Sequence, residues 1–152
     1  MSITNQTLLE TAMDYAERGI PIFPCRLDSK APACAHGHKD ASKDPDQIRA
    51  WWIECPSYNI GLCPEDAGWC VIDIDPRHRG DESWERVTTE LHDMVTTRTV
   101  ITPSGGRHLY FHGSLPSTVG KLGPGLDTRG RGGYVLVPPS VIDGKEYKDL
   151  HA

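Results

Sequence analysis

Residues 69–80 read WCVIDIDPRHRG, an apolar strand that ends in two aspartates. Side chains alternate along a strand and each residue rises about 3.3 Å, so Asp73 and Asp75 face the same way, about 6 to 7 Å apart. At an effective dielectric constant of about 20, their repulsion is about 2 to 3 kcal/mol. The pattern therefore predicts a compensating group at this strand end. That group is either a cation or a set of local contacts, in which Asp75 caps the turn before Pro76 and Asp73 pairs with an arginine.

The length of the chain favours one domain over residues 1–152, because 152 residues with 38% hydrophobic content suffice for one core. No run of eighteen apolar residues and no basic, apolar leader occurs, which predicts a soluble protein without membrane association. The five cysteines are an odd number without CxxC spacing. Reduced thiols and a cytoplasmic location are therefore expected.

The charge balance argues against a protein that coats nucleic acid through bulk electrostatics. Sixteen basic and 21 acidic residues give a net charge of −5, whereas phosphate binding depends on clustered lysine and arginine. Several basic residues nevertheless flank the acidic and glycine-rich motifs, among them Arg77, Arg107 and Arg129. Either a local basic groove or a solvated, mixed surface follows from this distribution.

Helical and strand patterns alternate along the chain. Apolar spacing predicts a helix in TLLETAMDYAERG, capped by Thr4 or Asn5, and Asp44 followed by Pro45 begins a second helix. A third helix is predicted in DESWERVTTELHD, and a hairpin turn at Asp143-Gly144. Predicted strands are IPIFPC, NIGLC, WCVIDID, RTVIT and RHLYFH. We expect an α/β (α+β) domain with a mixed, largely antiparallel sheet flanked by helices.

Two glycine-rich stretches carry further candidate residues. In TPSGGRHLYF the glycines permit a tight turn, and His108 and Tyr110 share one strand face, so His108 is either a structural or a functional histidine. In GPGLDTRGRGGYVLVPPS, Asp127 and Arg129 alternate among glycines. This stretch is either a hairpin with solvated arginines or the source of a further carboxylate with guanidinium groups that bind phosphate.

These stretches, in order, resemble the bifunctional primase-polymerase domain, a branch of the archaeo-eukaryotic primase superfamily found in phage and plasmid replication proteins. The resemblance covers nearly the whole chain. Its further segments are YAERGIPIFPCRLDSKAP, DASKDPDQIRAWW and PSYNIGLCPEDAGWCVIDIDPRHRGDESW. It implies a primase-like catalytic core and a template-dependent nucleotidyltransferase with DNA polymerase and primase activity. The expected location is the cytoplasm of a bacterial or archaeal host.

The resemblance also implies roles for single residues. Asp73, Asp75 and Asp127 correspond to carboxylates that bind two divalent ions, Mg²⁺ or Mn²⁺, and oxygen ligands suit such hard cations. His108 corresponds to a histidine that contacts the phosphates of the incoming nucleotide. The expected nucleotide-binding residues are Lys30, Ser104, Arg107, His108 and Arg129. Gly106 stands where such proteins commonly have serine, so Ser104 is the candidate substitute.

Implied partners are a DNA template and primer, dNTPs, with NTPs as further candidate substrates, and a helicase or helical accessory domain in the same or another polypeptide. Two alternatives remain: a metal-dependent nuclease or glycosyltransferase with an aspartate pair, and a degenerate nucleic-acid-binding replication module. Cys34, His36 and His38 alternate in CAHGH and could form part of a structural zinc site. Without a fourth ligand or finger spacing, a polar loop is the favoured interpretation.

Overall fold

The computed structural model describes residues 7–90 and 95–150, and within them it has three α-helices and eleven β-strands. The helices are α1 (Leu8–Glu17), α2 (Pro45–Glu54) and α3 (Gly80–Glu90). The strands are β1 (Ile22–Cys25), β2 (Asn59–Leu62), β3 (Trp69–Ile74), β4 (Arg98–Ile101), β5 (Arg107–His112), β6 (Thr118–Val119), β7 (Leu126–Arg129), β8 (Val135–Val137), β9 (Val141–Ile142), β10 (Lys145–Glu146) and β11 (Lys148–Leu150).

A six-stranded sheet in the order β11-β4-β5-β3-β7-β6 forms the centre of the fold. A three-stranded sheet, β1-β2-β8, lies beside it, and β9 and β10 form the hairpin expected at Asp143-Gly144. Every pairing between these named strands is antiparallel, and a parallel contact occurs at an isolated bridge between Pro116 and Arg131. The expected α/β (α+β) class with a largely antiparallel sheet is confirmed.

Capping residues set the starts of the first two helices. The Thr7 hydroxyl accepts from the Glu10 N–H at 3.1 Å and the Glu10 carboxylate accepts from the Thr7 N–H at 3.4 Å, a reciprocal capping box. The expected caps Thr4 and Asn5 lie outside the described residues, and the cap of α1 is Thr7. Asp44 caps α2, with Pro45 at the first helical position as predicted.

The two faces of the central sheet pack against different layers. One face buries Ile72, Ile74 and Leu109 against α3 through Trp84 and Val87. The other face packs against α1, α2 and the three-stranded sheet, and together they form a second apolar cluster. The central sheet contributes Val71, Val100 and Tyr110 to this cluster. Because side chains alternate, Asp73 lies on the same face as Val71, at the margin of this second cluster.

Candidate active site

A row of candidate site residues crosses the central sheet. Asp73 on β3 is directly opposite His108 on β5 and, on its other side, Asp127 on β7. Directly opposed residues in antiparallel strands have Cα atoms about 4.5 to 5.5 Å apart and side chains on the same face. Three residues taken from three separate sequence motifs are therefore immediate neighbours.

Asp75 follows the end of β3, and two glycines hold its backbone. Its N–H donates to the Gly125 carbonyl at 2.8 Å, and its carbonyl accepts from the Gly80 N–H at 2.8 Å. A Cβ atom on Gly80 would lie 2.6 Å from the Asp75 backbone nitrogen, and one on Gly125 would lie 2.7 Å from the Asp75 carbonyl oxygen. Only glycine permits this close approach of three chain segments, which fixes where Asp75 stands.

A polar cleft of about 460 Å³ opens above this row. Its lining residues are Lys30, Asp73, Asp75, Arg77, Thr102, Pro103, Ser104, His108, Asp127, Arg129, Ile142, Asp143, Lys145 and Tyr147. The cleft thus brings together seven of the eight residues expected from the sequence.

Arg107 is the eighth residue, and its side chain does not line the cleft. Its guanidinium group lies 3.1 Å from an Asp81 carboxylate oxygen on α3, on the opposite face of the sheet from His108. The alternation of side chains along β5 explains this, since neighbouring residues cannot share a face. The structure therefore gives Arg107 an ion pair with α3 and no contact with the cleft.

Asp73 is a partly buried carboxylate surrounded by basic groups. Burial raises its pKa, but the neighbouring His108 and the positive charges of Lys30 and Arg129 outweigh burial, and the net pKa lies below the ordinary value. The His108 Nε2 atom is 3.6 Å from the Asp73 carboxylate, and the buried Nδ1 atom has no hydrogen-bond partner within the described part of the chain. Asp73 is therefore ionised at neutral pH.

Local contacts saturate Asp75. Arg77 approaches it with Nε and Nη2, each 3.1 Å from a carboxylate oxygen, and the Arg77 backbone N–H donates to it at 2.9 Å. The His78 Nδ1 atom lies 2.9 Å away. The hydrogen bonds from the Arg77 side chain lower the pKa of Asp75 and outweigh the opposing effect of burial, and the hydrogen bond with His78 lowers the pKa further. Of the local contacts considered from the sequence, the cap by Asp75 of the turn at Pro76 is present. Asp73 faces His108 instead of forming an ion pair with an arginine.

Asp127 contacts both the chain and a basic group. One of its oxygens accepts from the Gly120 N–H at 3.0 Å, and the other lies 3.2 Å from Arg129 Nη2. Lys30 reaches the cleft from the loop after β1, and this loop is held by the Tyr134 hydroxyl, which donates to the Lys30 carbonyl at 2.8 Å. The basic residues therefore enter the cleft from different segments of the chain.

The PSGG turn explains why residue 106 is glycine. A Cβ atom there would collide with the Ile74 carbonyl oxygen and would lie 3.1 Å from the Thr102 hydroxyl. That hydroxyl accepts from the Gly106 N–H at 3.1 Å and lies 3.2 Å from the Ser104 hydroxyl. Ser104 lines the cleft, so a hydroxyl is present near the site although residue 106 has none.

Sequence reasoning did not identify Tyr147, a buried residue that lines the cleft from between β10 and β11. Its ring centroid lies 5.8 Å from that of His108, and burial together with the charge of Asp73 raises its pKa well above the ordinary value. The adjoining β11 is fastened to β4 by Arg98, whose guanidinium group contacts Asp149 at 2.6 and 3.1 Å. Lys145 and Tyr147 are two residues apart, so the sequence indicates that their side chains point in the same direction. No local pattern in the sequence indicates that Tyr147 lies close to His108.

The donor set of the cleft suits a hard divalent cation, because its three central acids offer only oxygen ligands. Among the residues that the structure describes, no three His, Cys, Asp or Glu side chains stand close enough together to hold a metal ion. Asp75 and Asp127 are paired instead with Arg77 and Arg129. A cation would therefore have to replace these arginine contacts.

The residues considered for zinc each have another partner. The Cys34 thiol donates to the Gly37 carbonyl at 3.2 Å, and His36 Nδ1 lies 3.1 Å from Asp40. The His38 ring stacks on Tyr134 with centroids 6.2 Å apart. The loop in this structure is thus held by polar and aromatic contacts.

Comparison with known proteins gives one finding about family. The model of the family described as "Bifunctional DNA primase/polymerase, N-terminal" matches residues 12–152, which include every residue lining the cleft. No curated protein matches the chain. In residues 7–90 and 95–150, no helix has the length and apolarity needed to cross a membrane.

Proposed function

We infer the function from one premise: the chain belongs to the bifunctional DNA primase/polymerase family. Membership implies a nucleotidyltransferase with DNA and nucleotides as its substrates. We propose that this chain carries out template-dependent nucleotide addition in the cleft over Asp73, in the replication of a phage or plasmid. A helicase or helical accessory domain, in the same polypeptide or separate, would be its replication partner.

The observation that carries this proposal is the row formed by His108, Asp73 and Asp127, with Asp75 at the end of β3. These three aspartates would hold two divalent ions, Mg²⁺ or Mn²⁺. When bound, such ions stabilise the negative charge on the attacking and leaving oxygens of a phosphoryl transfer. β5 and β7 support Asp73 on both sides, which suits a reaction that depends on the positions of the reacting groups.

The basic residues of the cleft would receive the triphosphate. Lys30 and Arg129 already direct positive charge towards Asp73, as their effect on its pKa indicates. His108 lies on the floor of the cleft with its side chain 6% exposed, so we propose a phosphate contact through Nε2, the nitrogen nearer Asp73. Ser104 would donate a hydroxyl from the rim. A cleft of about 460 Å³ falls in the range of small-molecule sites.

The test is primer extension beside a template-only assay, with dNTPs and NTPs and with Mg²⁺ or Mn²⁺. We expect the wild type to incorporate nucleotide and Asp73→Asn to lose incorporation by at least about a hundredfold, because a ligand at the centre of the row is removed. The matched control is Asp46→Asn on α2, whose carboxylate is 94% exposed and far from β3 in sequence.

Two results would overturn the proposal. DNA binding by the wild type without incorporation of any nucleotide would indicate a degenerate binding module. Cleavage of the primed template without extension, lost in Asp73→Asn and kept in Asp46→Asn, would indicate a metal-dependent nuclease.

A further inference from the structure

Arg77 and His78 together form a clamp on Asp75. A carboxylate offers about four lone-pair directions, and in Asp75 four contacts use them. Oδ1 receives the Arg77 backbone N–H at 2.9 Å and Nε at 3.1 Å, while Oδ2 receives Arg77 Nη2 at 3.1 Å and His78 Nδ1 at 2.9 Å. No further ligand can bind Asp75 until a side chain of the clamp leaves.

The clamp can open without disturbing Asp75 itself. The side chains of Arg77 and His78 are 64% and 71% exposed, so water can solvate them once released. The Asp75 backbone, in contrast, is fixed by its hydrogen bonds to Gly80 and Gly125. The backbone of Asp75 is therefore fixed, whereas the hydrogen-bond partners of its carboxylate can exchange.

Arg129 follows Asp127 by two residues, as Arg77 follows Asp75, but its side chain has less room to move. Its side chain is 28% exposed and makes a single contact with Asp127, at 3.2 Å, while its Cδ lies 3.4 Å from the position that a Cβ on Gly133 would occupy. Exposure and the two-point contact distinguish Arg77 as the arginine that can exchange its partner.

We propose that Arg77 exchanges partners during nucleotide binding: it neutralises Asp75 while no divalent cation is bound, and it turns to the triphosphate when Asp75 takes a cation. This inference rests on the proposed function. Arg77 lines the same cleft as Lys30 and Arg129, and a guanidinium group binds phosphate with the two-point geometry that it uses for a carboxylate. The exchange keeps the charge of the cleft balanced as a cation and an anion enter together.

The exchange predicts opposite effects of one substitution on two ligands. In Arg77→Gln, Mn²⁺ alone binds more tightly by about threefold to tenfold, because it no longer competes with a partly exposed ion pair. A dNTP analogue that cannot be cleaved between its α- and β-phosphates binds more weakly by a similar factor at saturating Mn²⁺. Arg77→Lys keeps the charge without the two-point geometry and gives intermediate values for both ligands.

The experiment measures free Mn²⁺ by electron paramagnetic resonance and analogue binding by calorimetry, so neither value requires turnover. Arg79→Gln is the matched control, because Arg79 is exposed and lies outside the cleft. This substitution removes the same charge from the same turn. In an Asp75→Asn background, Arg77→Gln no longer changes Mn²⁺ affinity. Circular dichroism checks that each variant is folded.

Equal Mn²⁺ affinity in Arg77→Gln and Arg79→Gln would overturn the exchange, and so would unchanged analogue affinity in Arg77→Gln. Both results are independent of whether the wild type extends primers. If Arg77→Gln shows the two opposite effects but the wild type never incorporates nucleotide, the exchange is retained and the proposed polymerase function is refuted.

Discussion

Gly80 offers a sharp test of how Asp75 is held, because two effects of Gly80→Ala have opposite signs. Gly80 begins α3 and its φ lies outside the left-handed region, so alanine has no conformational penalty there. On backbone entropy alone, the substitution would stabilise the protein by about 0.4 to 1 kcal/mol. A stabilised variant is therefore the result expected if nothing crowds the position.

The contacts of the added methyl group oppose that gain. It would lie 2.6 Å from both the nitrogen and the carbonyl oxygen of Asp75 and 2.7 Å from the Gly125 carbonyl oxygen. These are backbone atoms, which no side-chain rotation can move away. Ordinary contacts between carbon and a carbonyl oxygen are about 3.3 to 3.6 Å, so the segments must separate by roughly 0.6 Å or more.

The expected cost of that separation exceeds the gain. Overpacking costs about 1 to 3 kcal/mol, and weakening the two hydrogen bonds at Asp75 adds about 0.5 to 1.5 kcal/mol for each bond lost. After the entropic gain is subtracted, Gly80→Ala lowers the free energy of unfolding by about 1 to 5.5 kcal/mol. Because Asp75 moves with its backbone, incorporation falls by about a hundredfold even where the variant is fully folded.

Urea unfolding followed by circular dichroism measures the stability change, and primer extension at low temperature measures activity. Gly19→Ala is the control, since Gly19 has a φ of +77° and nothing within 4 Å of its added methyl group. That variant pays about 1 to 2 kcal/mol for the left-handed backbone alone and retains full activity. A Gly80→Ala protein as stable as the wild type, or more stable, would refute the close approach described here.

Two further outcomes follow from the cleft. Arg107→Gln should leave nucleotide incorporation within about twofold of wild type and cost at most about 1 kcal/mol of stability, since its partner is Asp81 on the far sheet face; a large loss in primer extension would contradict that placement. Because the pKa of Asp73 is lower in the folded than in the unfolded protein, its ionisation adds stability above pH of about 4 that is lost as pH falls through the folded value. The free energy of unfolding, measured in urea from pH 7 to pH 3, should therefore fall less steeply with pH in Asp73→Asn than in the wild type. An equal fall in both proteins would contradict this reasoning.

The sequence could predict those parts of the site that depend on local periodicity. Alternation of side chains predicts that Asp73 and Asp75 face the same way, and both line the cleft although β3 ends at Ile74. Alternation along β5 separates Arg107 from His108. The same rule, applied strictly, argues against using both Arg107 and His108 in one cleft. Alternation along a strand therefore indicates which neighbours of a candidate site residue can face the same cleft.

Other features depend on pairing between distant segments, which no local pattern encodes. Tyr147 approaches His108 because β11 pairs with β4 and β4 with β5, and each register depends on the whole sheet. The hydrogen bonds of Asp75 with Gly80 and Gly125 likewise join three segments. Glycine-rich motifs indicated flexible or close-packed backbone, but they did not indicate which other segment would approach.

The central place of β3 has a consequence for amide hydrogen exchange. Residues 71–74 pair with strands on both edges, so their backbone groups reach solvent only when the sheet itself opens. Asp73 therefore stands in the segment expected to exchange most slowly, whereas Arg77 and His78 belong to a short exposed turn that can open alone. Asp75 lies between this slowly exchanging strand and the turn. Ligand-induced protection is therefore expected at the amides of residues 77–79, while exchange in residues 71–74 remains unchanged.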